Sequence, residues 1–513
     1  MYGPARGRQR GVAILVLVAL LLLGGFMFAL GTVKLTAVGV ERERSSNDVL
    51  AQAKSALIDA AVSDNSRPGQ LPCPDVNDDG EATSPADFNA ATGACVSQIG
   101  RLPWKTLGLP DLRDDSGERL WYAVSADFRA DNAPVPAVPL NSNTAFRAGN
   151  LSLTLTGFTP GSNLAAIVIA PGAVLKRSDG HSQVRACGTA CSAIDFLDLA
   201  AGEDNADANR IFVSAQRSDT FNDRLLPVYS DDIMRLVERR AAREFAKRLR
   251  EHYDAWDTTG VVGGVNKGFY PYAAAYGDPY TAQVGTDGTT AGLLPVAPTP
   301  LTWSNASLGC SGNGTPTLSC NSLVICIIIC LPTLSGQVDN VGTRFVDPPT
   351  PANVVVLGLS LGGSATWTLN KAARRLEFSY GGFVSAGIIQ IQVSAPQTSS
   401  WVASSWLIAN DWHQSAYYAL SSGYAIDGAH VCGGAGPTCL GISNTTAPTS
   451  DKHAVVLVSG RQLSSAGQAA RPLATPVALS EYFEGLNADG TFTQFEANLR
   501  TLTFNDTPVA VRP

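Results

Sequence analysis

Ala166-Ile-Val-Ile-Ala-Pro-Gly172 is a continuous apolar run closed by a turn pair, and Ala454-Val-Val-Leu-Val-Ser-Gly460 repeats it 288 residues later. Short runs rich in β-branched residues and bounded by Gly or Pro read as buried strands. Working outward, Gly69-Gln-Leu-Pro72 returns as Gly268-Phe-Tyr-Pro271, and Gly100-Arg-Leu-Pro-Trp104 returns as Gly292-Leu-Leu-Pro-Val296. Tyr122-Ala-Val-Ser125 returns as Tyr418-Ala-Leu-Ser421, and Phe221-Asn-Asp223 as Phe504-Asn-Asp506. In chain order the offsets are 199, 192, 296, 288 and 283, so five landmarks keep their order with one jump. An internal repeat is therefore expected. The jump implies about 104 extra residues in the second copy, between Val296 and Tyr418.

A helix is expected before each copy. From Val12 to Val33 the chain carries 22 uncharged residues, a span of about 33 Å and enough for a bilayer. Beyond Lys34 the apolar residues Val49, Leu50, Ala53, Leu57, Ala60 and Ala61 recur at helical spacing, and no proline stands between Val12 and Asn65. One helix over 12–64, apolar first and amphipathic later, is the expectation. Arg6, Arg8 and Arg10 before the apolar run predict a cytoplasmic N-terminus, a single pass and the rest of the chain outside. Before the second copy, Met234, Val237, Ala241, Phe245, Leu249, Tyr253 and Trp256 form another helical stripe behind the start signal Ser230-Asp231-Asp232. Its other faces hold the one strongly basic stretch of the chain, which includes Arg235, Arg239, Arg240, Arg243, Lys247, Arg248 and Arg250. A solvated face around a core stripe and a binding face for phosphate or an acidic partner both fit it.

The segment 300–414 has another texture, with Gly/Ser/Thr-rich stretches between runs such as Val354-Val-Val-Leu357 and Ile388-Ile-Gln-Ile-Gln-Val393. It reads as a β-rich insertion, a plausible adhesive or partner-binding module.

The 513-residue chain is 45% hydrophobic and 16% charged, with 49 Gly and 30 Pro. That composition excludes a disordered chain and predicts a turn-rich, β-containing protein. A net charge of −7 argues against general nucleic-acid binding. Ten cysteines favour an oxidising compartment. Cys73 with Cys95, Cys187 with Cys191, and Cys432 with Cys439 are close enough for local disulfides. In the group Cys310, Cys320, Cys326 and Cys330, a strand over 323–331 would hold Cys326 and Cys330 about 13 Å apart, so each is expected to bond Cys310 or Cys320.

Asp75-Val-Asn77-Asp-Asp79-Gly80 matches the first half of a calcium loop, in which Asp75, Asn77 and Asp79 turn oxygens toward one Ca2+ ion. The twelfth position is Ala86 instead of an acid, with Glu81 or Asp87 as substitutes. A hydrogen-bonded Asp/Asn turn fits the same residues. Glu203-Asp204-Asn205-Ala-Asp207 and Asn487-Ala-Asp489-Gly490 read as turns of the same kind. Gly358-Leu-Ser360-Leu-Gly362 formally fits a nucleophile elbow but stands in β-rich sequence without a helix signal. His181, His252, His413, His430 and His453 form no metal spacing, and an enzyme is not expected.

The short basic leader ending in Gly11, the apolar run from Val12 and the long first helix resemble the type IV pilin-like family of pilins and type II secretion pseudopilins. Leu71-Pro-Cys-Pro-Asp75 and its continuation to Gly80, Gly100-Arg-Leu-Pro-Trp104 with its continuation to Leu112, and Glu118-Arg-Leu-Trp-Tyr122 with its continuation to Ser125 resemble head elements of one bacterial group in that family. The resemblance covers roughly residues 1–255. It implies a single-pass inner-membrane protein with a periplasmic head, cleavage between Gly11 and Val12 by a prepilin peptidase, and partnership with other pilin-like subunits and the inner-membrane assembly machinery. Most members carry Glu at the fifth position after the cut. Here it is Val16, which looks like a minor subunit at a filament tip.

The expected architecture is α+β. A leader (1–11) and a membrane and stalk helix (12–64) precede a first pilin-like helix-on-antiparallel-sheet head (65–229) and a second (230–299 and 415–513) interrupted by the insertion (300–414). The expected role is a structural minor pilin or pseudopilin that initiates or caps a filament. The alternatives are a membrane-anchored adhesin that never assembles and an exported hydrolase using Ser360.

Overall fold

The structure is a computed structural model. It describes residues 17–18, 20–21 and 43–512, apart from 131–137, 147–149, 156–160, 189, 208, 258–267, 276–282, 297–301, 305–310, 314–316, 323–332, 339–340, 349–353, 358–359, 385–388, 395–398, 400, 403–404, 469–470 and 472–477. Two compact units divide it: residues 1–59, 72–126 and 151–228, and residues 60–71, 127–150 and 229–513.

Helix α1 covers residues 43–63. Ser46, Leu50, Ala53, Leu57 and Ala61 are buried along one line of it, at the three- and four-residue steps that place side chains on one helical face. Glu43, Arg44, Asp48, Lys54 and Asp59 occupy its other faces. Five charges in 21 residues suit a helix half in water, and hydrocarbon would have to desolvate them. The expected fold class is corrected. The chain is mixed α/β and mostly sheet, with no long apolar N-terminal helix among the described residues. The expected localisation, a single-pass inner-membrane protein, is corrected with it: among the described residues no helix is long and apolar enough to cross a membrane.

The first unit holds strands β1 (Ile99–Arg101), β2 (Trp121–Val124), β3 (Leu151–Leu155), β4 (Gly161–Ala170), β5 (Ile211–Ser214) and β6 (Arg224–Tyr229). They form one sheet ordered β1-β2-β4-β3-β5, with β6 also paired to β4. The β1/β2, β2/β4 and β3/β4 pairs are antiparallel and the β3/β5 pair is parallel. On α1, Lys54 Nζ donates to Pro227 O of β6 at 2.9 Å, and Glu43 pairs with Arg224 at 3.2 Å.

The second unit holds α2 (Ser230–Trp256) and β7 (Ala291–Leu293). Eight strands of the 300–414 segment follow: β8 (Thr302–Ser304), β9 (Ser311–Asn313), β10 (Thr317–Ser322), β11 (Thr333–Val338), β12 (Val354–Leu357), β13 (Ser360–Asn370), β14 (Arg375–Val384) and β15 (Ile389–Ser394). They make two antiparallel sheets, β9-β8-β11-β14-β13 and β10-β15-β12. After them come β16 (Ala416–Leu420), β17 (Gly441–Ser443), β18 (Ala454–Val458), β19 (Gln494–Glu496) and β20 (Thr507–Arg512). The sheet β7-β16-β18-β20 is antiparallel, β17 and β19 pair in parallel, and α2 packs on β18 and β20.

The landmarks of the sequence occupy matching registers in the two units. Gly100 faces Tyr122 as Gly292 faces Tyr418, and Tyr122 faces Val168 as Tyr418 faces Val456. The parallel pairs match as well, with Ser152 opposite Ile211 and Gly441 opposite Gln494. Tyr122 donates its hydroxyl to Pro72 O at 3.1 Å, and Tyr418 does the same to Pro271 O at 2.9 Å. A one-residue slip would turn every side chain to the wrong face, so shared register is a stringent likeness.

The continuous apolar runs have a physical cause. Ile167 and Ile169 of β4 join Trp121, Leu151, Phe196 and Phe212 in one core. Val455 and Leu457 of β18 join Tyr417, Leu440, Tyr482 and Phe495 in the corresponding core of the other unit. In β18, the alternate residues Ala454, Val456 and Val458 lie on the opposite face, where α2 packs. A strand covered on both faces needs no polar alternation.

Candidate functional site

Two arrangements of buried acids stand out, one in the first unit alone and one present in both.

The first is the loop 75–87. Asp75 is buried and accepts the backbone N–H of Gly80 at 2.7 Å and of Asp79 at 3.3 Å. Asp87, also buried, accepts Val76 N at 2.6 Å and the Ser84 hydroxyl. Asp75, Asp79 and Asp87 each place a carboxylate oxygen within 4.8 Å of the others. Burial pushes the Asp75 carboxyl up to about 6, with the charges of Asp79 and Asp87 adding to the rise and the N–H of Gly80 opposing it. Two residues of the loop take positive φ, Asp78 at 63° and Gly80 at 87°. A Cβ on Gly80 would meet Trp104 Nε1 at 2.6 Å, so only glycine fits there.

Of the residues expected to hold calcium, the structure brings the carboxylates of Asp75 and Asp79 together and sets Asn77 against Asp79. The Asn77 amide donates to Asp79 Oδ2 at 2.8 Å. The third converging acid is Asp87, while Glu81 is exposed and meets Asp79 through its backbone N–H. Asp78 turns to Arg119 at 3.0 Å and Arg101 at 3.7 Å. Three hard oxygen donors of this kind suit a divalent cation such as calcium once Asp75 is ionised. The disulfide Cys73–Cys95 closes the loop, with a Cα–Cα distance of 5.3 Å.

The second arrangement is a network of carboxyl, amide and guanidinium groups. In the first unit Asp198 accepts Gln183 Nε2 at 2.8 Å and the backbone N–H of Asn222 at 2.6 Å. Asp223 accepts Asp198 N at 2.8 Å and Asn205 Nδ2 at 2.9 Å. In the second unit Glu484 accepts Gln468 Nε2 at 2.6 Å and Asn505 N at 3.0 Å. Asp506 accepts Glu484 N at 2.9 Å and Asn487 Nδ2 at 3.1 Å. Arg185 donates to Gln183 at 2.9 Å and lies 5.1 Å from the Phe196 ring; Arg471 donates to Gln468 at 2.8 Å and lies 4.6 Å from the Tyr482 ring. Burial first, and the neighbouring acid second, pushes Asp223 and Asp506 well above the usual carboxylate range. Oδ1 of each has no hydrogen-bond partner, so fewer donors support the charged form.

This network fastens the loop after the central strand to the loop before the last one. Gly172 and Gly460, which end the two apolar landmarks, leave no room for a side chain: a Cβ would meet Asn222 Oδ1 at 2.6 Å or the Asn505 carboxamide carbon at 2.4 Å. The sequence signal was the repeated Phe-Asn-Asp. Its partners Gln183, Arg185, Asp198, Gln468, Arg471 and Glu484 were missed, and Asn205 and Asn487 were read only as turn residues.

The remaining predicted site residues are placed as follows. Cys187 pairs with Cys191 and Cys432 with Cys439. The processing residues Gly11 and Val12, and the pairing of Cys310, Cys320, Cys326 and Cys330, lie outside the described residues. Ser360 opens β13, which continues as strand to Asn370 where a nucleophile elbow would turn into a helix. Asp204 accepts Ala206 N at 2.9 Å and Asp489 accepts Thr491 N at 3.1 Å, both as turn contacts, and Asp204 also pairs with the buried Arg177 at 2.6 Å. No family model, no curated protein and no solved structure matches the chain.

Proposed function

We propose that the protein is a structural, non-catalytic subunit of the type IV pilin-like kind, placed at the end of a pilus or secretion pseudopilus, where it initiates or caps assembly. The observation that supports this most is the helix on an antiparallel sheet, α2 on β18 and β20, whose strand registers recur in the first unit. A helix-on-sheet head is the architecture that the sequence resemblance implies. Two heads with an eight-stranded segment between strands of the second make a large subunit, and such bulk would crowd a filament wall but not a filament end. The disulfides Cys73–Cys95, Cys187–Cys191 and Cys432–Cys439 suit an oxidising environment. In this reading the neighbours are other pilin-like subunits and their assembly machinery, a prepilin peptidase processes the chain between Gly11 and Val12, and the 75–87 loop takes calcium through Asp75, Asp79 and Asp87.

Filaments sheared from cells and purified supply the test. Quantitative mass spectrometry is expected to find this chain at a few copies per filament against hundreds of the major subunit. Absence from the filaments, or a copy number near that of the major subunit, would overturn the proposal.

A further inference from the structure

Helix α2 exposes Arg235, Arg239, Arg243, Lys247 and Arg250. Their spacing of four, four, four and three residues lines them along one edge of the helix for about 22 Å. Adjacent like charges at this spacing destabilise a helix. Of the five, the acids of α2 relieve Lys247 alone among the described residues. Glu244 and Glu251 pair with Arg248, each at 3.0 Å, and reach Lys247 at 3.9 and 3.8 Å. Glu238 is buried with Arg500 and Ser142. Arg240 turns to the backbone carbonyls of Val62 and Asp64. Arg235, Arg239, Arg243 and Arg250 meet no acid within ion-pair distance among the described residues.

The repeat supplies an internal comparison. The buried positions of α1, 46, 50, 53, 57 and 61, fall 192 residues before buried positions of α2, 238, 242, 245, 249 and 253. At that offset the basic edge corresponds to Glu43, Asn47, Ala51, Ser55 and Ile58. A helix with the same burial pattern therefore forms without these cations, in a chain whose net charge is −7.

A groove of about 660 Å3 runs beside this edge, floored by Val62, Leu236, Val509 and Ala510. Val509 and Ala510 belong to β20, the last strand of its sheet, which among the described residues pairs with β18 on one side only. An edge strand beside an apolar floor accepts an extended chain, and the cations above it select for negative charge. The basic edge carries no aromatic side chain on which bases could stack, which favours a polypeptide over a nucleic acid.

We propose that the basic edge of α2 and the groove it shares with β20 form a docking surface for an extended, acidic segment of a partner protein. The surface is independent of the filament reading, because it rests on the charge and shape of the second unit alone.

The test is fluorescence anisotropy of the full chain with a labelled ten-residue peptide of alternating Glu and Val. Wild-type protein is expected to bind it, at least threefold more weakly at 200 mM than at 50 mM salt. Arg239→Glu with Arg243→Glu is expected to weaken binding at least tenfold while the helical circular dichroism and melting temperature hold, since each new acid faces a cation four residues away. Arg235→Gln with Arg250→Gln, a milder pair, is expected to weaken it at least threefold. Arg217→Glu, an exposed change in the first unit, is expected to stay within twofold. No binding by the wild type, or unchanged binding by both double variants, overturns the proposal. So does tighter binding to a single-stranded DNA of equal charge, or to phosphatidylserine vesicles, than to the peptide.

Discussion

Asn205 and Asn487 are the residues through which the two buried networks hold a strand, and replacing either with alanine gives a matched pair of perturbations. Asn205 accepts the backbone N–H of Val213 at 2.8 Å, and its Nδ2 donates to Val213 O at 3.1 Å and to Asp223 at 2.9 Å. Asn487 treats Glu496 the same way, at 2.9 and 3.0 Å, and reaches Asp506 at 3.1 Å. Each carboxamide thus stands where a neighbouring strand's peptide would, beside β5 or β19. Asn→Ala leaves one N–H and one C=O of a strand unpaired in a site with little water. At about 1–3 kcal/mol for each such group, a cost of about 3 kcal/mol is expected. That free energy corresponds to a roughly hundredfold loss of protection in amide hydrogen exchange. Measured by mass spectrometry on the intact chain, Asn205→Ala is expected to expose 151–155 and 211–214 and to spare 441–443 and 494–496. Asn487→Ala is expected to do the reverse. A change below threefold, or equal loosening of both regions by one substitution, would refute the reasoning.

Further outcomes follow from the same contacts. Asp223 and Asp506 have folded pKa values raised by burial above the unfolded value near 4, so the stability they support is present below that value and lost as pH rises through the folded one. Asp506→Asn, which keeps the shape of the protonated acid, is expected to flatten the fall in melting temperature above pH 4; an unchanged slope contradicts the assignment. Asp75, raised to about 6, makes the empty 75–87 loop less stable as pH rises through 6. Calcium at 1 mM is expected to reverse that loss at pH 7.5 in wild type and not in Asp87→Asn, as read by melting temperature; equal responses of the two remove Asp87 from the site. Removal of the Cys73–Cys95 bridge by Cys→Ser at both positions reopens a 22-residue loop, expected to cost about 3 kcal/mol and to raise exchange across 73–95. Tyr418→Phe leaves Pro271 O without the hydroxyl that reaches it at 2.9 Å, for an expected loss of about 1 kcal/mol in denaturant unfolding, and Tyr122→Phe is expected to match it.

Much of the sheet architecture was legible because the central strands are covered on both faces. Full coverage makes β4 and β18 continuous apolar words, Ala166–Ala170 and Ala454–Val458, that survive as a recognisable pair. Helix α2 was legible from its 3.6-residue stripe, since Met234, Val237, Ala241, Phe245 and Leu249 are all buried. The buried networks were not legible. Gln183, Asp198, Asn205 and Asp223 are spread over 41 residues, and each taken locally is an ordinary loop residue. The acid loop was more legible: the alternating pattern named Asp75 and Asp79 and offered Glu81 or Asp87 for the missing acid, but local spacing does not choose between those two, and it is Asp87 whose carboxylate converges. The apolar run from Val12 misled in the opposite way. Its periodicity joined smoothly to that of α1, which over residues 43–63 carries the charges of a half-exposed element, and among the described residues no helix is long and apolar enough to cross a membrane.

Placement of the chain at a filament end is tested most directly by immunogold electron microscopy on sheared filaments, with antibody against the 300–414 segment. The account predicts gold at one terminus of individual filaments and bare shafts between. Label spread along the shafts, or filaments without label in preparations that contain the protein, would contradict it.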